Sequence, residues 1–91
     1  MQFEWDDEKN KTNLKKHGLD FELAALVFAD PNRMEWYDKK HSYDEDRFIT
    51  IGEIGGTACV VTVVYTERGR TIRIISARKA TAKERSAYYD C

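Results

Sequence analysis

The strongest pattern in the chain is a pair of β-branched runs between Ala58 and Ala80, flanking Glu67-Arg68-Gly69-Arg70. It predicts a β-hairpin with glycine at its turn. A two-residue turn at Arg68 and Gly69, or a four-residue loop from Glu67 to Arg70, sets Val64 opposite Arg73, Tyr65 opposite Ile72 and Val63 opposite Ile74. Side chains alternate along a strand, so this register sorts the hairpin into two surfaces. Val61, Val63, Tyr65, Ile72 and Ile74 make a core face. Thr62, Thr66, Thr71, Arg73 and Lys79 share the other with Val60, Val64, Ile75 and Ala77. A three-residue turn would shift the register and swap these partnerships. On the mixed face Arg73 stands mid-strand, where a cation gains nothing without a partner.

Upstream, Phe3-Glu4-Trp5 reads as a short strand, and Asp6 caps a polar helix to about His17, with Asp7 and Glu8 in its first turn. Asn10, Asn13, Leu14 and His17 form its one coherent stripe. Gly18 supplies a left-handed end, with Leu14 and Leu19 placed for a Schellman contact. Asp20 caps a second helix from Phe21 to about Ala29, with a buried stripe of Phe21, Ala24, Ala25 and Phe28 widened by Leu23, Leu26 and Val27. Asp30-Pro31-Asn32 stops it. Arg33 to Tyr37 reads as an edge strand, Asp38 to Asp46 as a charged loop and Arg47 to Ile54 as a strand, with Gly55-Gly56 as a tight hairpin. Thr81-Ala82-Lys83-Glu84 is a capping box opening a last helix that ends at Tyr88 and Tyr89. The expected fold is α+β: an antiparallel sheet of four or five strands, two N-terminal helices and one C-terminal helix, in a single domain over residues 1–91.

Composition narrows the class. A hydrophobic content of 42% is ordinary for a globular chain. No apolar run reaches the ~20 residues of a membrane span and no signal-peptide pattern opens the sequence, so a soluble cytoplasmic protein is expected. Two cysteines make no disulfide framework, and Cys59 reads as a small core residue. A net charge of −1 excludes a uniformly basic nucleic-acid binder. The charge is uneven, however. Residues 1–46 carry seven Lys/Arg against twelve Asp/Glu, whereas residues 66–91 carry seven against three. One surface thereby suits an anionic ligand and another a basic partner, unless the patchiness is only that of a highly charged surface.

No phosphate loop, paired-cysteine ligand set, His-x-x-x-His spacing or serine elbow is present. The candidates are basic and polar side chains near the hairpin. His17, at a helix C-terminus, suits a general acid or a phosphate contact; the plainer reading is a helix-ending residue bonded to a carbonyl. Arg73 suits a phosphate, since a guanidinium grips two oxygens at once; the alternative is a cross-strand ion pair. Arg78 is five residues on and joins it only across a bulge or beyond the strand end. Glu67 is a general base or a turn salt bridge. Lys9 and Lys16, seven apart on one helix face, are a solvated face or, with Arg68, Lys79 and Arg85, cations for an anionic strand; Tyr88 or Tyr89 beside Arg85 could form a base-stacking edge, unless they pack onto the sheet. A metal site from His17, His41, Asp44 and Asp46 has no spacing to fix a geometry, and no cofactor is expected.

Phe3-Glu4-Trp5-Asp6, Asn13-Leu14-Lys15-Lys16-His17-Gly18, Phe21-Glu22, Asp30-Pro31, His41-Ser42 with Glu45-Asp46-Arg47, Tyr65-Thr66-Glu67-Arg68-Gly69 and Arg73-Ile74-Ile75-Ser76-Ala77-Arg78-Lys79-Ala80 follow one another over nearly the whole chain. Together they resemble the BrnT toxins of bacterial type II toxin–antitoxin systems. The resemblance implies a RelE-like fold and a ribonuclease that arrests translation. It also implies a BrnA antitoxin whose ribbon-helix-helix domain carries the complex to operator DNA. Leu23 stands where such toxins usually have Glu, and Tyr43-Asp44 replaces a glycine often found before the acidic pair. His17, Arg68, Arg73 and Arg78 fall on matching positions. The expected activity is metal-independent endoribonuclease cleavage; the alternative is a binding module of the same fold that docks on RNA or an acidic protein without catalysis.

Overall fold

The computed structural model describes residues 1–55 and 57–89. Five strands, β1 (Gln2–Glu4), β2 (Met34–Tyr37), β3 (Phe48–Glu53), β4 (Val60–Arg68) and β5 (Thr71–Lys79), form one sheet in the order β1-β5-β4-β3-β2. Helices α1 (Asp7–His17) and α2 (Phe21–Ala24) fall between β1 and β2, and α3 (Ala82–Tyr89) follows β5. The fold is α+β, but the sheet is mixed rather than antiparallel. β1 runs parallel to β5, with Glu4 beside Arg73, while the other pairs are antiparallel.

The central hairpin turns one residue later than the sequence suggests. Arg68 pairs with Thr71, so Gly69 and Arg70 make the turn, with Gly69 at φ +61° in the position a type II′ turn reserves for glycine. Tyr65 therefore faces Ile74 instead of Ile72, and Arg73 faces Thr66 instead of Val64. A shift of two keeps every side chain on its expected face up to Ile74. Beyond it a bulge intervenes: Val64 pairs with Ser76 and Ile75 is the extra residue. The bulge reverses the alternation of the rest of β5. Ala77 and Lys79 move to the side of Val61 and Val63, contrary to expectation, and Ala77 is buried there. Arg78, opposite Thr62, joins Arg73 on one face.

On the side of the sheet that carries Val61, Val63, Tyr65, Ile72 and Ile74, the main core closes against Leu19, Phe21, Ala24 and Val27. After Ala24 the helix tightens into a 3₁₀ turn over Ala25–Ala29. In a 3₁₀ turn residues three apart eclipse, so Phe21, Ala24 and Val27 fall on one buried line. Leu23 and Leu26 form another line and stay 44% and 47% exposed instead of widening the stripe. Asp6 and Asp20 cap as expected, accepting from the amides of Glu8 and Lys9 and of Leu23 respectively. Gly18, at φ +68°, ends α1 and donates to the Leu14 carbonyl at 2.8 Å.

Asn13 is the buried member of the α1 stripe, and its work is polar. Its Nδ2 donates to the carbonyls of Leu19 and Ala77 at 2.8 Å each, and its Oδ1 accepts the Ala77 amide at 3.2 Å. It thus clasps α1 to the stretch of β5 edge that β1 leaves uncovered. A second, smaller core of Ile51, Val60 and Tyr88, with Met34 and Ala80, lies on the opposite face under α3. The Thr81–Glu84 capping box is formed in both directions. Beyond the Glu53–Val60 pair the β3–β4 hairpin closes tightly, the Ile54 amide donating to the Cys59 carbonyl at 3.1 Å and the Thr57 amide to the Ile54 carbonyl at 3.0 Å, as the Gly55-Gly56 pair suggests. Gly56 lies outside the described residues, as does Cys91. Cys59 is a free thiol, half-buried against the main core.

Candidate nucleic-acid interface

The face opposite the main core is only partly covered. Alternation places Met34, Ile51, Val60 and Thr62 at the end roofed by α3, and Trp36, Ile49, Val64, Thr66, Arg68 and Arg73 at the open end. Arg47 immediately precedes β3 and is in alternation with Ile49. Three arginines therefore gather around an apolar patch, accompanied by Glu4 from β1 and Glu45 from the charged loop.

Each predicted arginine on this face has a carboxylate, and the pairs differ in strength. Arg68 meets Glu45 through Nε at 3.2 Å and Nη2 at 2.9 Å. That hydrogen bond holds the Glu45 carboxyl below the usual range and the Arg68 guanidinium above its own. Arg78 grips Glu84 in a fork, Nη1 at 2.6 Å and Nη2 at 3.0 Å. Glu84 also accepts from Thr62 Oγ1 and the Thr81 amide, and the Arg78 hydrogen bond is the main reason its carboxyl falls to about 2. Arg78 thereby ties the start of α3 to the sheet. Arg73 is held more lightly. Only Nη1 reaches Glu4, at 2.6 Å, leaving Nε and Nη2 without a partner among the described residues. This is the cross-strand ion pair that the sequence offered as the alternative for Arg73, since Glu4 stands beside it in the β1–β5 register, and it leaves Nε and Nη2 as the donors open to a phosphate.

His17, Lys9 and Lys16 come together elsewhere. They line a cleft of about 330 Å³ between α1 and the bulged part of β5, with Ile75 and Ser76 as its floor. The cleft lies along the strand that carries Arg73. Glu67 is not part of either cluster: opposite Ile72, it projects from the main-core face, away from Arg73. Lys79 is on that same side after the bulge and is exposed at the strand end. Arg85 is exposed on α3. Its proposed stacking neighbour Tyr88 is buried and donates to Asp30, and Tyr89 donates to Glu53, so this edge presents carboxylates where a phosphate would need cations.

A model of the ribonuclease toxin BrnT, of type II toxin–antitoxin systems, matches residues 5–84. The chain belongs to this BrnT family. No curated protein matches the chain. A type II system supplies a protein antitoxin, so a protein partner accompanies the ribonuclease function of the family. No helix among the described residues is long and apolar enough to cross a membrane.

Two residues of the BrnT chain that sequence reasoning passed over belong to the open face. Arg47 has no carboxylate within ion-pair distance among the described residues, while Arg68 and Arg73 on the same face each have one. Its signal was available, since it stands two positions before Ile49 in the same alternation. Thr66, directly across from Arg73, is 1% exposed, and its Oγ1 is a buried polar atom with no hydrogen-bond partner among the described residues. Such orphans are uncommon in a folded chain and call for a reason. Nothing in the sequence distinguished Thr66 from Thr62, the other threonine of β4. Among the described residues no three His, Cys, Asp or Glu side chains converge as a metal-binding group; His41 is tied to Asp38 at 3.0 Å.

Proposed function

We propose that the chain is an endoribonuclease that cleaves RNA on the open face of the sheet without a metal ion, arresting translation as a RelE-like toxin. The observation that carries this reading is Arg73, held by Glu4 at one nitrogen only, with the orphaned Thr66 hydroxyl across from it and Arg47 on the same face two strands away. In the reaction the 2′-oxygen loses its proton and attacks phosphorus, the bond to the 5′-oxygen breaks, and that oxygen takes up a proton. Arg73 offsets the charge that builds on the phosphoryl oxygens. His17 is the acid or base, reached where the RNA crosses the edge of β5. Lys9, Lys16, Arg47 and Arg68 hold the strand on either side. Arg78 supports the site through α3, and Glu67 has no role in it.

The partner in this reading is a BrnA-like antitoxin with a ribbon-helix-helix domain that neutralises the toxin and brings it to operator DNA in the cytoplasm. The carboxylate partners of Arg68, Arg73 and Arg78 favour a second reading, a binding module that docks on RNA without cutting it. Purified protein incubated with a defined RNA in EDTA separates them. Discrete products that vanish with Arg73→Ala support the enzyme; intact but retarded RNA refutes it and supports the module.

A further inference from the structure

We propose that Trp36 is a nucleobase-stacking subsite on the open face, a site that sets which base adjoins the cleaved phosphate. The inference rests on the ribonuclease reading above and extends it to how the substrate is chosen.

Trp36 lies on the edge strand β2, opposite Ile49. Two residues earlier Met34 packs into the core beneath α3, and one residue later Tyr37 stands edge-on to Phe48, which stacks on Tyr65 in the main core. Alternation therefore fixes the indole on the open face, where it is 41% exposed. Ile49 and Val64, both half-buried, continue its row toward Ser76, and Thr66 and Arg73 form the adjacent row. From the spacing of strands and residues, the Trp36 and Arg73 backbones stand roughly 16 Å apart, with both long side chains rising from one surface. The indole makes no hydrogen bond or ring contact among the described residues. By contrast, Trp5 packs against the Phe21 ring at 6.2 Å.

A lone exposed aromatic needs no explanation by itself. This one ends an apolar strip that the arginines flank along one side, and that combination matches single-stranded RNA: cations for the backbone, a π-face for an unstacked base. A protein segment would also find apolar contact here, but the two Arg73 nitrogens left open by Glu4, and Arg47 without an ion-pair partner among the described residues, favour a polyanion. Stacking strength grows with ring area, so the subsite favours a purine.

The test uses Trp5→Phe, so that Trp36 is the sole indole, titrated with a single-stranded 2′-O-methyl oligonucleotide that cannot be cleaved. Should Trp5→Phe fail to fold, the wild-type protein minus Trp36→Phe gives the same signal by difference. Trp36 emission should quench with the binding constant that anisotropy reports. Trp36→Ala should weaken binding roughly 10- to 100-fold and leave the salt slope unchanged, whereas Arg47→Ala should lower that slope by about 1. Trp36→Phe should recover most of the affinity. Full affinity in Trp36→Ala, or binding without quenching, overturns the subsite, and so does a Trp36 variant defective only in binding a protein partner. If wild-type protein cleaves RNA while its indole stays silent, the subsite alone fails. If it quenches but never cleaves, the ribonuclease reading fails, along with the purine selection at the cleaved phosphate.

Discussion

Replacing Asn13 by alanine should cost about 3 kcal/mol of stability. The side chain satisfies three backbone groups at once, the carbonyls of Leu19 and Ala77 and the amide of Ala77, in a site only 7% exposed. Each orphaned backbone group costs about 1–3 kcal/mol, and water entering the vacated edge holds the loss near the lower figure. In a domain of this length the melting temperature then falls by about 12–24 °C. Asn13→Asp is sharper, because a carboxylate can still accept from the Ala77 amide but sets negative charge against two carbonyls. Its folded pKa is raised, so the native state holds the proton more tightly, and the penalty grows as pH rises above the usual carboxylate value. Urea titrations followed by circular dichroism should rank wild type, Asn13→Ala and Asn13→Asp in that order at pH 7, with the last two converging near pH 4. A loss under about 1 kcal/mol for Asn13→Ala would falsify the view that this clasp seats α1, and with it His17, on β5.

The remaining predictions concern the sheet faces. Glu84→Gln should lose about 1–2 kcal/mol at pH 7, less than the full pKa shift implies because the site is partly solvated. Since the Glu84 carboxyl is depressed to about 2, its contribution is complete above the usual carboxylate range and disappears as pH falls toward 2. Urea melts of both proteins at pH 7 and pH 2 check this, and an equal difference at the two values would contradict it. Gly52→Ala should destabilise by about 1–3 kcal/mol, because a Cβ there meets Arg33 Cβ, Asp30 Oδ2 and Val27 Cγ2 at 2.9 Å each; a neutral result by thermal melt would show that the packing of the 3₁₀ turn against β3 gives way. Thr66→Val removes the orphaned hydroxyl and should gain up to about 1 kcal/mol while lowering RNA cleavage. A stability loss would mean that the hydroxyl has a partner in solution.

How much of this was readable from the residues depends on how local each feature is. The caps at Asp6, Asp20 and Thr81 and the left-handed Gly18 were legible because each is decided within a turn of chain. The core face of the hairpin survived a wrong turn assignment, because a shift of two leaves alternation intact. Three features were hidden. The parallel pairing of β1 with β5 joins segments 69 residues apart, and no periodicity encodes it. The bulge at Ile75 arises in a run that reads as regular strand, yet it decides that Arg78 shares the face of Arg73. The 3₁₀ turn that leaves Leu23 and Leu26 exposed follows an unbroken helical pattern. For the site, the motif around Arg73 and Arg78 was visible, but only coordinates separate a guanidinium held at one nitrogen from one clamped at two.

Arg73 acts on the scissile phosphodiester in the proposed reaction, and single-turnover cleavage of a defined RNA tests that directly. Arg73→Ala, folded by circular dichroism, should cut about 10²–10³-fold more slowly than wild type, the usual loss when one transition-state donor is removed. Glu4→Gln, which frees the guanidinium, should cut at least as fast as wild type. Cleavage by Arg73→Ala within a few-fold of the wild-type rate would contradict the account.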